Sequence, residues 1–355
     1  MDPELTPAVL EELRKDPLKA ALTATSLSKF YMAKQFPDNT AQLTSVDFDP
    51  AGSRCITTSY DESLRIYDCM QGKRVKVSYS KKYGCNLAQF TSQPGSVAYA
   101  STKINDTIRY LSYETNQFIR YFVGHKDMVT SLQRSPIDDP QQVASLVSAS
   151  MDGTVRLWNL EDVRPASTVE VDSKEGVLAA YDPSGMIVAV CVASRELQLY
   201  DTRKMSKGPF ISTPLSFDQV VVGLKFLPPT GDYILLVMAN MSIEVLDAFQ
   251  LKPRAVLSTE AVSHAAGSKE PVLKQMQQEC FGQKVTTTPD GRAVIAGCNN
   301  GTIAFWDMDA VLARISYGSA SKIICEPDGT WNESHDGPVG ICAFNPMLMQ
   351  CVTGA

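Results

Sequence analysis

Runs of three to seven residues in which apolar and polar side chains alternate fill the chain from residue 28 to its end, and Gly, Pro, Asn or Asp bounds almost every one. A period of two puts successive side chains on opposite faces of a strand, so each run predicts a strand. The strands come in sets. Val46-Asp47-Phe48, Cys55-Ile56-Thr57 and Leu64-Arg65-Ile66-Tyr67-Asp68 make the first, with the turn Asp49-Pro50-Ala51-Gly52 inside it; Leu87 to Phe90, Val97 to Ala100 and Thr107 to Leu111 make the second. Later sets close at Asn159, Asp201, Asp247 and Asp307, and a seventh opens at His335 and runs through Val339 to Phe344. The third strands end at Asp68, Ser112, Asn159, Asp201, Asp247 and Asp307, a spacing of 42 to 47 residues with one longer gap. Units of that length bury their apolar faces only by stacking on further copies.

Several stretches break the rhythm. Residues 1–27 lack alternation, and Thr6 before Pro7 and Asp16 before Pro17 predict two short helices, Ala8 to Arg14 and Leu18 to Leu22, in an N-terminal extension. That extension is either a docking arm or a helical segment lying on the main domain, which spans residues 28–355. Ser258 to Gly282 is rich in Ala, Gln, Glu and Lys and predicts a loop or partly helical insertion, and Ser316 to Ser334 predicts a second excursion. Phe30 to Phe36 alternates like a strand ahead of the first set, so it is expected to be the outer strand of the last one. The chain stops at Val352-Thr353-Gly354-Ala355 with no third strand for that set, so either the last unit is incomplete or the chain is shorter than the natural protein.

The most complete unit runs from Gly124-His125 through Met151-Asp152-Gly153-Thr154 to Val155-Arg156-Leu157-Trp158-Asn159. It resembles one WD-repeat. The resemblance implies an all-β fold, a seven-bladed WD-repeat β-propeller whose last blade is closed by an N-terminal strand. His125, Ser148, Asp152 and Trp158 match the structural hydrogen-bond tetrad of that family. Ser, His and Asp together also suit nucleophilic catalysis, but all four residues occupy repeat positions, which favours the structural role.

Composition narrows the function. With 44% hydrophobic and 20% charged residues the chain is of ordinary globular make-up, and no apolar run approaches the ~20 residues that span a bilayer. Nine cysteines without a Cys-x-x-Cys pair read as reduced thiols of an intracellular protein. A net charge of −6 argues against a general phosphate-backbone binder, so direct sequence-specific nucleic-acid binding is not expected. No metal-ligand spacing, phosphate-cradling glycine loop or nucleophile elbow occurs; no catalytic residue, cofactor or metal is assigned.

More specific residues lie between the first and third sets. Tyr67-Asp68-Cys69-Met70-Gln71-Gly72-Lys73, Tyr79-Ser80-Lys81-Lys82-Tyr83-Gly84, Lys103 to Ser112 and Ile119 to His125 closely resemble the WD-repeat subunit of COMPASS-type histone methyltransferases, the Swd-two family of yeast. Leu199 to Arg203, Lys207 to Phe210, Asp247-Ala248-Phe249 and Gly337-Pro338-Val339 add to the match. The resemblance covers residues 28–355. It implies a non-catalytic nuclear adaptor with two memberships. One is COMPASS, beside the catalytic SET-domain subunit. The other is the mRNA 3′-end processing and transcription-termination machinery, beside a protein phosphatase 1 scaffold subunit. It also implies a link to the phosphorylated C-terminal tail of RNA polymerase II. The rival readings are an unrelated WD-repeat adaptor, such as a ribosome-biogenesis factor or ubiquitin-ligase receptor, and a propeller hydrolase with acids and His converging on the central channel.

The same segment reverses the sign of the protein. Lys73, Arg74, Lys76, Lys81, Lys82, Lys103 and Arg109 face the single acid Asp106 between Cys69 and Tyr113. Lys81, Lys82 and Tyr83 fall in the loop entering the second blade, and with Lys73 and Arg74 they are the candidate contacts for an acidic or phosphorylated partner. A solvated surface accounts for them equally. Arg65, Arg109 and Arg156 share one third-strand position, which favours a role in the repeat.

Overall fold

The computed structural model describes residues 22–137, 145–173, 176–217, 219–259, 283–317, 322–332 and 335–355. The helix expected at 8–14, all but Leu22 of that expected at 18–22, and most of the insertion at 258–282 fall outside them. The described chain is a ring of small antiparallel sheets, a β-propeller. Six sheets have four or five strands, and the seventh has two, Ile341–Phe344 and Cys351–Gly354. Each blade's first strand is innermost: Leu43–Phe48, Asn86–Phe90, Val129–Arg134, Val177–Tyr181, Val221–Phe226, Val285–Thr287 and then Ile341–Phe344.

Polar side chains on the innermost strands stitch the ring together. Ser45 Oγ and Asp47 Oδ2 accept from the N–H groups of Ala88 and Phe90 at 3.0 and 2.8 Å, joining blades one and two. Ser131 and Gln133 accept from Ala179 and Tyr181 at 2.9 and 2.8 Å, joining blades three and four. Lys225 Nζ donates to the Val285 carbonyl at 2.7 Å, and Thr286 Oγ1 accepts from Phe344 N–H at 3.1 Å. Buried backbone groups at the blade junctions thus find partners, which a ring of purely apolar strands would not supply. Between these bonds lie apolar clusters shared by adjacent blades, for example Leu235, Val237 and Val245 with Val294, Ala304 and Trp306.

The recurring acid at the end of each third strand has a local cause. Asp68 Oδ1 accepts from the N–H groups of Met70 and Gln71, and Asp247 Oδ1 from those of Phe249 and Gln250, all at 2.9 Å. These side chains close the turn to the fourth strand. Asp307 does the same, accepting from Asp309 N–H at 3.0 Å, but there the chain continues as the helix Met308–Tyr317. Met308, Val311, Leu312 and Ile315 pack on the cluster shared by blades five and six.

Two expectations are corrected. Ser316 to Ser334 is more than an excursion. Ile323–Cys325 joins blade five as a parallel fifth strand beside Pro253–Leu257, and Gly329–Trp331 is the fourth strand of blade six. Residues 30–36 form no strand, because the seventh sheet has two strands and no third for them to pair with. Their aromatics pack instead: Phe30 stacks on Trp331 at 5.3 Å between centroids, and Phe36 lies tilted against Tyr67 at 4.8 Å. The segment before them is held by Leu27, fully buried among Ile303, Phe305 and Val339, and by Trp331 Nε1 donating to the Leu27 carbonyl at 2.8 Å. Blade seven meets blade one through Asn345, whose Nδ2 donates to the Gly52 carbonyl at 2.8 Å. Gly52 has φ +65°, and a Cβ there would lie 2.1 Å from Asn345 Oδ1, so this junction requires glycine.

Candidate interaction surfaces

In blade three the four tetrad residues meet. Ser148 Oγ accepts from Trp158 Nε1 at 2.8 Å and lies 2.7 Å from His125 Nε2. His125 Nδ1 is 3.0 Å from Thr154 Oγ1 and 3.3 Å from Asp152 Oδ2. Asp152 also accepts from the N–H groups of Lys126 and Thr154. One assignment satisfies every atom: a neutral His125 protonated on Nδ1, with the Ser148 hydroxyl donating to Nε2. Burial holds the His125 pKa below its ordinary value. Asp152 is held well below the usual carboxylate range: burial opposes ionisation, but the bonds from His125, Thr154 and Lys126 outweigh it. Ser148 and Trp158 are fully buried, so the arrangement ties the loop entering the blade to its second and third strands.

The basic residues divide between two ends of the propeller. Outer strand Lys73–Tyr79 of blade one pairs with Ser63–Asp68, Lys73 opposite Asp68 and Tyr79 opposite Ser63. Lys73 and Arg74 therefore sit about 20 Å along the strand from Tyr79 and the loop that carries Lys81, Lys82 and Tyr83. Arg74 pairs with Asp38 at 2.9 Å. Lys81 and Lys82 are exposed, with Lys81 Nζ 5.5 Å from the Tyr79 ring centroid and Lys82 Nζ 5.1 Å from that of Tyr83. Lys103 of the neighbouring turn is neutralised by Glu62. Burial raises the Asp106 carboxyl above its ordinary value, with the charges of Asp127 and Asp152 in blade three adding to the effect and His125 opposing it.

Sequence reasoning missed what surrounds Arg109. In blade one the equivalent Arg65 pairs with Asp61 at 3.1 Å. In blade two the residue at that place is Asn105, which accepts from Arg109 at 3.3 Å, and among the described residues no carboxylate is paired with this guanidinium. It stacks 3.4 Å over the Tyr83 ring, with Tyr121 and Phe118 at 5.2 and 5.6 Å. Tyr79, Phe118 and Tyr121 are themselves exposed. The result is an aromatic surface over a buried cation, rimmed by Lys81 and Lys82. The signal was Asn105 in place of Asp61 and Asp152.

The ring of mostly four-stranded blades and the blade-three tetrad define a WD-repeat propeller. The model of the WD domain, G-beta repeat, matches residues 31–68 and 116–159. WD repeat-containing protein 82 of Drosophila melanogaster is 32% identical over 334 residues, 94% of each chain. The Set1 complex component swd2 of Schizosaccharomyces pombe is 38% identical over 211 residues, 59% of this chain and 57% of that one. The COMPASS component SWD2 of Saccharomyces cerevisiae is 29% identical over 342 residues, 94% of this chain and 95% of that one. The chain belongs to this family of WD-repeat proteins, that of WD repeat-containing protein 82 and Swd2.

Proposed function

We propose that the chain is a non-catalytic scaffold subunit of a nuclear COMPASS-type histone lysine methyltransferase complex, in which it holds the SET-domain subunit. The observation that carries the reading is near full-length similarity to a COMPASS component, with a second relative named for the Set1 complex. The same chain serves the mRNA 3′-end processing and termination machinery through a protein phosphatase 1 scaffold, and links both to the phosphorylated RNA polymerase II tail. The surface of Tyr79, Lys81, Lys82 and Tyr83 suits that last role: ammonium groups beside aromatic faces can hold acidic or phosphorylated residues by charge-assisted hydrogen bonds. Lys73 and Arg74 belong to a separate contact. The inner-strand Asp47 and Lys225 are engaged in blade-to-blade bonds, which favours a scaffold over a hydrolase with a channel site.

The test is affinity purification of the full chain from nuclear extract. Co-elution of a SET-domain methyltransferase, with or without the cleavage and phosphatase machinery, is expected; recovery of neither overturns the proposal.

A further inference from the structure

One third-strand position recurs through the ring and reports how each blade fills the outer gap beside its neighbour. In blades one to three it holds Arg65, Arg109 and Arg156. The hydroxyl two residues earlier accepts from the guanidinium in two of them: Arg65 donates to Ser63 Oγ at 2.7 Å and Arg156 to Thr154 Oγ1 at 3.2 Å. In blade five the position is Glu244, and the cation comes from elsewhere. The added strand Ile323–Cys325 lies along the blade's outer strand, and the preceding Lys322 places its Nζ 2.6 Å from Glu244 Oε1 and 5.7 Å from the Phe217 ring centroid. An edge-added segment there delivers its cation to this gap.

Blade six holds Ala304 there, buried in the apolar cluster it shares with blade five, and blade four has none of these arrangements. The position is Gln198, too short to fill the gap, and Glu196 stands where the other blades carry the accepting hydroxyl. A cavity of about 510 Å³ lies there, between blade four's third strand, Glu196–Asp201, and residues 168–172 of blade three. Glu170, Asp172 and Glu196 line it, and among the described residues no Lys or Arg does. Lys207, flanked by the lining residues Ser206 and Gly208, is an exposed cation at the rim. Strand Pro165–Glu170 is outermost in its sheet, so alternate backbone N–H and C=O groups face outward unpaired within it. Tyr200 Oη donates to Gln198 Oε1 at 2.6 Å, and Ser212 Oγ donates to Glu196, which fixes the carboxylate on the cavity wall. Hydrogen bonds from Ser212 and Gln198 hold the Glu196 pKa below its ordinary value, so it is charged at neutral pH.

We propose that this groove binds an extended, arginine-containing segment of a partner protein, which runs along the edge of Pro165–Glu170 and inserts one arginine against Glu196. Main-chain bonds to the edge supply affinity, and the inserted side chain supplies specificity. The guanidinium takes the place that Arg65, Arg109 and Arg156 fill in their own blades, and Glu170 and Asp172 favour further basic residues.

The experiment is fluorescence anisotropy of the purified full chain with a capped, fluorescein-labelled peptide, Thr-Arg-Val-Arg-Thr-Arg-Val, at low salt. Binding is expected, together with none by the same peptide with citrulline at every arginine. Glu196→Gln, which keeps an acceptor for Ser212, weakens binding at least tenfold. Gln198→Arg fills the gap with the protein's own guanidinium and abolishes it, while circular dichroism and melting temperature stay at the wild-type values. Lys81→Glu with Lys82→Glu leaves it intact. Absence of peptide binding overturns the proposal, as does binding that survives Glu196→Gln. Should Gln198→Arg fail to fold, Glu196→Gln decides alone.

Discussion

Replacing Ser148 by alanine tests the tetrad most directly. The hydroxyl is fully buried, accepts from Trp158 Nε1 at 2.8 Å and donates to His125 Nε2 at 2.7 Å, so its removal leaves a buried donor and a buried acceptor unpaired. Each unpaired group costs about 1–3 kcal/mol, and a loss of roughly 3 kcal/mol is expected after relaxation around the smaller side chain. At ~2.1 cal/mol/K of unfolding entropy per residue, a cooperative unit of 355 residues shifts by about 1.3 °C per kcal/mol, so the melting temperature falls by about 4 °C. Trp158→Phe removes the donor instead, and combined with Ser148→Ala it leaves one unpaired group fewer. The double variant is then less destabilised than the sum of the singles, by about 1 kcal/mol or more. Urea unfolding followed by far-ultraviolet circular dichroism gives all four corners of the cycle. A Ser148→Ala effect below ~0.5 kcal/mol, or strict additivity with Trp158→Phe, would refute the idea that the hydroxyl bridges Trp and His.

Other sites give equally definite outcomes. Burial pushes the Asp47 carboxyl up to about 7, above its unfolded value, so the native state binds the proton more tightly and this group's contribution to stability declines as pH rises from about 4 to about 7. Because Asp47 is only half-buried, the decline is about 1–2 kcal/mol rather than the full value of the shift, and Asp47→Asn, whose Oδ1 still accepts from Phe90, flattens it in urea titrations at pH 5 and 8. An unchanged slope would show that another group governs it. Asn345→Ala removes the bond to the Gly52 carbonyl and the acceptor for Met347 and Leu348 N–H, costing about 2–3 kcal/mol. It opens the ring where blade seven meets blade one, so limited proteolysis should cut first in residues 345–355. Lys81→Glu with Lys82→Glu weakens binding of a phosphorylated or acidic peptide at low salt without lowering the melting temperature, because both ammonium groups are exposed. Equal affinity of variant and wild type in that titration removes the surface from consideration.

What could be read from the chain depended on whether the cause was local. Strands such as Leu64-Arg65-Ile66-Tyr67 show their alternation within a few residues, and Asp68 or Asp247 marks the strand end because its own side chain closes the next turn. The helix Met308–Tyr317 is not expected from the sequence, although Met308, Val311, Leu312 and Ile315 have helical spacing, because Asp307 ahead of it looks like one more strand-ending turn. Ile323–Cys325 is different, since its partner Pro253–Leu257 lies far away in sequence and three residues carry no sign of parallel pairing. Phe30 to Phe36 alternates as a strand would, yet Phe30 and Phe36 are held by ring contacts with Trp331 and Tyr67.

The candidate surfaces follow the same division, and it decides where function should be sought. Repeat consensus records what every blade needs for folding, so residues that obey it, such as His125 and Trp158, explain stability. Departures in register expose what one blade does alone. Asn105 replaces the acid that pairs with Arg65 in blade one, and its guanidinium neighbour Arg109 turns to Tyr83. Gln198 replaces the arginine itself, and a cavity bordered by three acids takes its place. Both are single-residue changes visible once the blades are superposed, but their consequences depend on side chains from adjacent blades and loops. Blade five shows the gap filled from outside its own four strands, by Lys322 on an added strand. The groove at blade four offers an edge and an acid of the same kind, with no segment among the described residues to occupy it, and this comparison makes it the stronger place to look for a partner.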